Sequence, residues 1–375
     1  MKLLDKKLLA ENIEKIARYD IDENNVFGSA YLVMQNGELL YENYFGYKDI
    51  EGRKKVDREA IFRLASMTKP ITAVAILILV DRGLISLFDP VKKYIPEFSN
   101  IHIRQEDGTS LGATKTDVTI FHLLTHTSGF GRLDEPEMTK KDKQTAKNTV
   151  SRYIKEGLYF EPFTKQQYSP YASFDVLVEI IEMVTKMDYE DFLQAEIFRP
   201  LQMTDTTFIP NESQWERMVM IHNKVDGKNS VAETTKDCIF SDFPCTHKLG
   251  GAGLVSTLLD YSKFAQMLLD CGKAGKGEIV SKKTLSLLST PHVPESLMPW
   301  DVRWGLGVRV VTREEYKLLP VGSYGWSGAF GSHFWVDPEN KIVAVFMKNS
   351  RFDGGSGNKS AVRFEEAVNN SLREG

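Results

Sequence analysis

The sequence predicts an α+β protein: one antiparallel sheet built from both ends of the chain and flanked by helices, with a mainly helical domain inserted between. Three observations predict it. Strand-like alternation appears near residues 29–44 and returns at 305–349. Helical periodicity dominates the stretch between. Ile71 to Val80 is apolar on nearly every side, which places its helix in the middle of a large core. The corresponding division gives residues 1–100 and 290–375 to the sheet domain and 101–289 to the helical domain, with the active site at their interface.

Composition sets the bounds. A chain of 375 residues buries most of its unfolded surface without staples. Apolar content of 42% and charged content of 26% are those of an ordinary globular protein. A net charge of −4 argues against nucleic acid as the main partner. Cys238, Cys245 and Cys271 make an odd count and fit no zinc spacing, so neither a disulfide framework nor a metal centre is expected. Residues 2–18 read as an amphipathic helix with no signal-peptide core, and the run 70–80 is too short to span a bilayer. The expectation is a cytoplasmic protein with no membrane partner.

In chain order, strands at 29–34 and 38–44 flank Asn36-Gly37, a strong hairpin signal. The buried helix follows, with Pro70 in its first turn and Gly83 at its exit. Asp89-Pro90 and Ile95-Pro96 mark loop, 100–118 reads as irregular, and 132–150 as solvated. Helices fit 145–156, 173–186, 188–198, 257–271 and 281–289. Asp226-Gly227 caps a small hairpin. Strands fit 305–312 and 331–349, and a last helix 360–373.

The chemistry starts at Ser66-Met67-Thr68-Lys69. On a helix the two ends of this tetrad share a face, so the lysine stands beside the serine at the mouth of the buried helix. A serine hydroxyl needs a base to become a nucleophile, and a desolvated lysine is neutral enough to serve. Alone, a Ser-x-x-Lys reads equally as a helix N-cap with a surface lysine. Two further stretches bear on it. Tyr168 stands at a loop-to-helix junction, where a tyrosine either reaches a cleft or is partly buried with its hydroxyl satisfied. Gly325-Trp326-Ser327-Gly328 reads as a turn beside an edge strand, presenting backbone N–H groups to an oxyanion or simply plugged by an aromatic ring.

These three pieces, in this order, resemble the serine β-lactamase and penicillin-binding-protein superfamily, and within it the class C-like group that includes family VIII carboxylesterases and related acyltransferases. Further matching stretches are Leu123-Leu124-Thr125-His126-Thr127-Ser128-Gly129, Phe174-Asp175-Val176-Leu177 and Gly250-Gly251-Ala252-Gly253-Leu254, so the likeness covers nearly the whole chain. The resemblance implies a serine β-lactamase-like fold and a covalent acyl-enzyme on a small ester or amide, without a cofactor. It implies Ser66 as nucleophile, Lys69 and Tyr168 as the proton-handling pair, and the backbone N–H groups of Ser66 and Ala329 as the oxyanion hole. Trp326, Ser327 and Gly328 would line the substrate.

Two departures from that pattern shift the expected substrate. Pro170 replaces the Asn of Tyr-x-Asn, and Trp326 replaces the cation of Lys-Thr-Gly, a triplet found nowhere in the chain. Both losses favour an ester over a β-lactam. The alternatives are a β-lactamase, a D-Ala-D-Ala carboxypeptidase or D-amino-acid peptidase, and a low-turnover penicillin-binding or sensor protein. Tyr171 competes with Tyr168 as base, and Tyr168 is preferred for its spacing from Pro162. His122 and His126 share a helix face but lack the Glu of a zincin. Residues 353–360 lack the Gly-Lys-Ser order of a phosphate loop, and Trp300, Trp304 and Trp335 read as core or cleft wall.

Overall fold

The computed structural model describes residues 1–23, 25–105, 107–131, 145–233, 248–275 and 277–374. Cys238, Cys245 and much of the polar 132–150 stretch lie outside these. Helix α1 spans Lys6–Asp22 and is capped by Asp5, whose carboxylate accepts from the Lys7 and Leu8 amides at 3.0 Å. That cap corrects the expected start of the helix at residue 2. Lys2–Leu4 is instead a short strand paired antiparallel with Leu372–Glu374, so the last helix also ends sooner than expected.

Strands β1 (Gly28–Gln35) and β2 (Glu38–Gly46) form the predicted hairpin. Asn36 and Gly37 both take positive φ, 54° and 76°, as a tight right-twisting turn requires. Helix α2 (Thr68–Asp81) follows, with every residue from Thr68 to Leu79 buried. Pro70 lies in its first turn, and Gly83 leaves it at φ 69°. Helix α3 is Ala172–Thr185 and α4 is Leu258–Leu269. Strands β3 (Val302–Trp304), β4 (Arg309–Val311), β5 (Tyr324–Ser327), β6 (His333–Asp337) and β7 (Ile342–Lys348) precede helix α5 (Lys359–Asn369).

These strands make one antiparallel seven-stranded sheet in the order β3-β4-β5-β6-β7-β1-β2. The last C-terminal strand, β7, therefore pairs with the N-terminal hairpin's inner strand, and a sheet is built from both chain ends. Along β1, Tyr31 and Val33 face α1 and α5, packing with Phe346 and Phe364. Ala30 and Leu32 join the core around α2, as the period of two dictates. Helix α4 lies on that inner face, where the Tyr261 ring meets Phe334 at 5.0 Å.

Some segments differ from the sequence reading. The Gly-Trp-Ser-Gly stretch is no turn at an edge: Tyr324–Ser327 is an interior strand, bonded to β4 and β6. Its short, glycine-interrupted composition hid it. Ile61–Arg63 is a strand paired with Val255–Thr257, and His102–Arg104 pairs with Ser110–Ala113 inside the stretch read as irregular. The helix expected over 188–198 changes to a wider π turn at Gln194–Phe198.

Candidate active site

The first turn of α2 is fixed from several sides. Leu64 donates its amide to the Leu254 carbonyl at 2.9 Å, and Leu254 donates its own to Thr68 Oγ1 at 3.2 Å. Tyr261 from α4 donates to the Met67 carbonyl at 2.9 Å. Ala65 takes φ 45°, a left-handed conformation costly for an alanine, immediately before Ser66. The surrounding bonds hold the chain in that kink, and the kink sets Ser66 at the edge of a cleft of about 800 Å³.

Lys69 is fully buried beneath it. Its Nζ lies 2.7 Å from the Pro170 carbonyl, 2.8 Å from the Gly251 carbonyl and 3.3 Å from Ser66 Oγ. Burial pulls its pKa below the ordinary 10.5, partly opposed by Tyr168 and by the Asp175 carboxylate. A neutral amine has two N–H donors and one lone pair. In that form the two carbonyls would take the donors at short range, leaving the lone pair for the longer contact to Ser66. The Tyr168 hydroxyl lies 2.7 Å from the same Ser66 Oγ.

The Gly250 residue next to the second acceptor is held at both its amide and its carbonyl. The Gly250 amide donates to Asp175 Oδ1 at 3.0 Å, and Thr72, one turn above Lys69, donates to the Gly250 carbonyl at 2.5 Å. A Cβ on Gly251 would fall 2.6 Å from the Pro170 carbonyl and 2.9 Å from Lys69 Nζ, so only glycine lets these three groups converge. Pro170 thus supplies an acceptor through its main chain, whatever its side chain has lost.

Tyr168 is set by an aromatic box. Its ring stacks on Trp304 at 5.9 Å and meets His126 at 4.7 Å and Trp326 at 5.4 Å. His126 is fully buried, and burial followed by the Lys69 charge drives its pKa well below 6.5. Its Nδ1 accepts the Ser169 amide at 3.2 Å, one residue past Tyr168. His122 is engaged elsewhere, its Nδ1 accepting the Thr119 amide in a capping box. The two histidines therefore do not converge. Tyr171 lines the same cleft, and the hydroxyl that reaches Ser66 Oγ is that of Tyr168.

On the opposite wall β5 ends in Trp326 and Ser327, which line the cleft with Gly328 and Ala329 just beyond it. A Cβ on Gly328 would lie 2.4 Å from the Leu64 carbonyl, so β5 presses directly on the serine's segment. The amides of Ser66 and Ala329 donate to no protein acceptor among the described residues. Ser327 bonds His333 Nδ1 at 2.8 Å, and His333 Nε2 lies 2.9 Å from Glu365, which ties this wall to α5.

The sequence reading did not anticipate four participants. The carbonyls of Pro170 and Gly251 carry no residue-type signal. Trp304, read as core or wall, stacks on the candidate base. Arg309 brings a cation to the wall of Trp326 from the neighbouring strand, its guanidinium 4.8 Å over that ring, and only the register of Arg309 with Gly325 discloses it. Trp335 is core, while Trp300 is exposed at the cleft rim.

Known proteins share this arrangement of elements. Esterase EstB of Burkholderia gladioli is 27% identical over 384 residues, covering 94% of each chain. Among solved structures, EstCE1, described as a hydrolase with promiscuous acyltransferase activity, superposes with a TM-score of 0.82 at 23% identity, covering 97% of this chain and 99% of that one. A family VIII carboxylesterase does so with a TM-score of 0.77 at 19% identity, covering 96% and 97%. The fold is that of the serine β-lactamases. The Beta-lactamase family profile matches residues 12–367, nearly the full length, and the chain belongs to that family.

Proposed function

We propose that this chain is a carboxylesterase-like serine hydrolase acting through a covalent acyl-enzyme on Ser66. The observation that carries the reading is the buried Lys69, held by two carbonyls and in contact with Ser66 Oγ, where the Tyr168 hydroxyl also converges. Ser66 Oγ attacks the ester carbonyl carbon while its proton passes to the Lys69–Tyr168 pair. The carbonyl oxygen gains negative charge and is received by the Ser66 and Ala329 amides. The bond to the leaving alcohol then breaks, and the alcohol departs with the proton from the pair. Water repeats the attack on the acyl-enzyme, releasing the acid and restoring Ser66.

The apolar cleft and the esterase relatives support an ester over a more polar substrate. The test is a fluorophosphonate label with turnover of p-nitrophenyl butyrate. The expected result is an adduct at Ser66 and ester turnover that Ser66→Ala lowers by roughly a thousandfold or more. A stable adduct without ester turnover by the unmodified enzyme would instead describe a binder or sensor.

A further inference from the structure

Among the described residues that line the cleft, Arg309 is the only charged one. It stands at the start of β4, with its guanidinium over the Trp326 ring. One of its N–H groups donates to Ser356 Oγ on the turn closing that side. A guanidinium has five N–H donors in a planar fork. A neutral hydroxyl occupies one of them here. No carboxylate of the described residues lies within ion-pair distance.

The acidic group acting on it is Glu365, which lines a small adjoining cavity with it. That carboxylate is already committed, accepting from the Tyr316 hydroxyl at 2.9 Å and lying 2.9 Å from His333 Nε2. Arg309 is half-buried against apolar walls formed by Trp326, Trp304 and Met298. A cation so placed costs free energy unless something anionic meets it. Stacking on an indole recovers part of that cost, and it fixes the plane of the fork.

We propose that Arg309 is a specificity residue that receives a carboxylate on the substrate, remote from the scissile ester. This deepens the reading of the site as an acyl-enzyme esterase and rests on it. The preferred substrate is then an anionic ester, charged either on the acyl chain or on the leaving group. Trp326 and Ser356 hold the guanidinium in one orientation, and the planar fork matches a carboxylate with two parallel bonds.

The experiment compares neutral p-nitrophenyl butyrate with two anionic esters of similar size. One is mono-p-nitrophenyl glutarate, charged on the acyl side, and the other is 4-carboxyphenyl butyrate, charged on the leaving group. In Arg309→Gln, kcat/KM for at least one anionic ester is expected to fall about ten- to a hundredfold relative to the neutral ester, mostly through KM. Arg309→Lys is expected to keep part of the preference. An unchanged ratio for both anionic esters, or an equal loss on all three, overturns the proposal and makes Arg309 structural. If the unmodified enzyme turns over none of the esters, the acyl-enzyme reading alone fails. The subsite is then judged by calorimetric titration of Ser66→Ala with glutarate against dimethyl glutarate. Glutarate binding that Arg309→Gln abolishes supports it, and no glutarate binding overturns it.

Discussion

At the scale of single residues the site turns on the charge of Lys69. In the proposed mechanism its working form is the neutral amine, and because burial lowers the pKa, protonation should disable it on the acid side only. kcat/KM should therefore rise with pH and level off below the ordinary lysine range. Lys69→Arg, charged at every accessible pH, should stay inactive throughout. Tyr168→Phe is expected to lower the acylation rate by about a hundredfold or more, while Tyr171→Phe keeps it. Pre-steady-state bursts on p-nitrophenyl esters measure both, and the opposite ranking would move the base to Tyr171. The residues proposed for these roles were legible because each is a distinctive type at a recognisable spacing. Ser66 and Lys69 show themselves by their tetrad, and Tyr168 by its junction. The acceptors of Lys69 were not legible, since every residue carries the same main-chain carbonyl whatever its side chain. Arg309 escaped for another reason: its partner, Trp326, belongs to a different strand, and register is not written in composition.

At the scale of elements, legibility followed length and uniformity. Helix α2 announced itself because a run apolar all round suits only a buried helix. Strand β5 did not, because four residues with a glycine among them resemble a turn. The Gly250-Gly251 bend is where element geometry meets chemistry. Gly251→Ala would place a methyl against the Pro170 carbonyl and Lys69 Nζ. Relieving that clash moves the bend and with it one acceptor of the lysine. The expected outcome is a stability loss of about 1–3 kcal/mol with a drop in kcat/KM of about tenfold or more. Urea titration and ester kinetics separate the two. A destabilised variant with unchanged kinetics would show that the bend has no part in setting the base.

For the molecule as a whole, the wall carrying Arg309's partner Ser356 is anchored by an ion pair between Lys348 at the end of β7 and Asp353, at 2.7 Å. Asp353 also accepts from the Lys359 and Ser360 amides at the start of α5. Burial alone would raise its pKa, but the Lys348 charge and these bonds outweigh that and lower it to about 2. The folded value lies below the unfolded one, so the stabilisation is full at neutral pH and fades as pH falls from about 4 towards 2. It is worth about 2 kcal/mol. Asp353→Asn should lose that much at pH 7, measured by urea unfolding, and its curve should converge with the parent's near pH 2. Parallel curves across this range would assign acid sensitivity elsewhere. The sheet's construction from both chain ends was legible from where alternation recurs. The pairing of residues 2–4 with 372–374 was not, since three-residue strands carry too little pattern to be read.

The contacts of Lys69 have a consequence for how the protein refolds. The lysine's acceptors lie 101 and 182 positions away along the chain, so its burial waits on the joining of three distant segments. Until they meet, the amine is hydrated and carries its proton. Closure of the site must therefore release a proton to solvent at any pH between the folded and unfolded pKa values. Because non-local contacts form slowly, that release is expected late in refolding, together with the return of activity, and a pH indicator in weakly buffered refolding would time it.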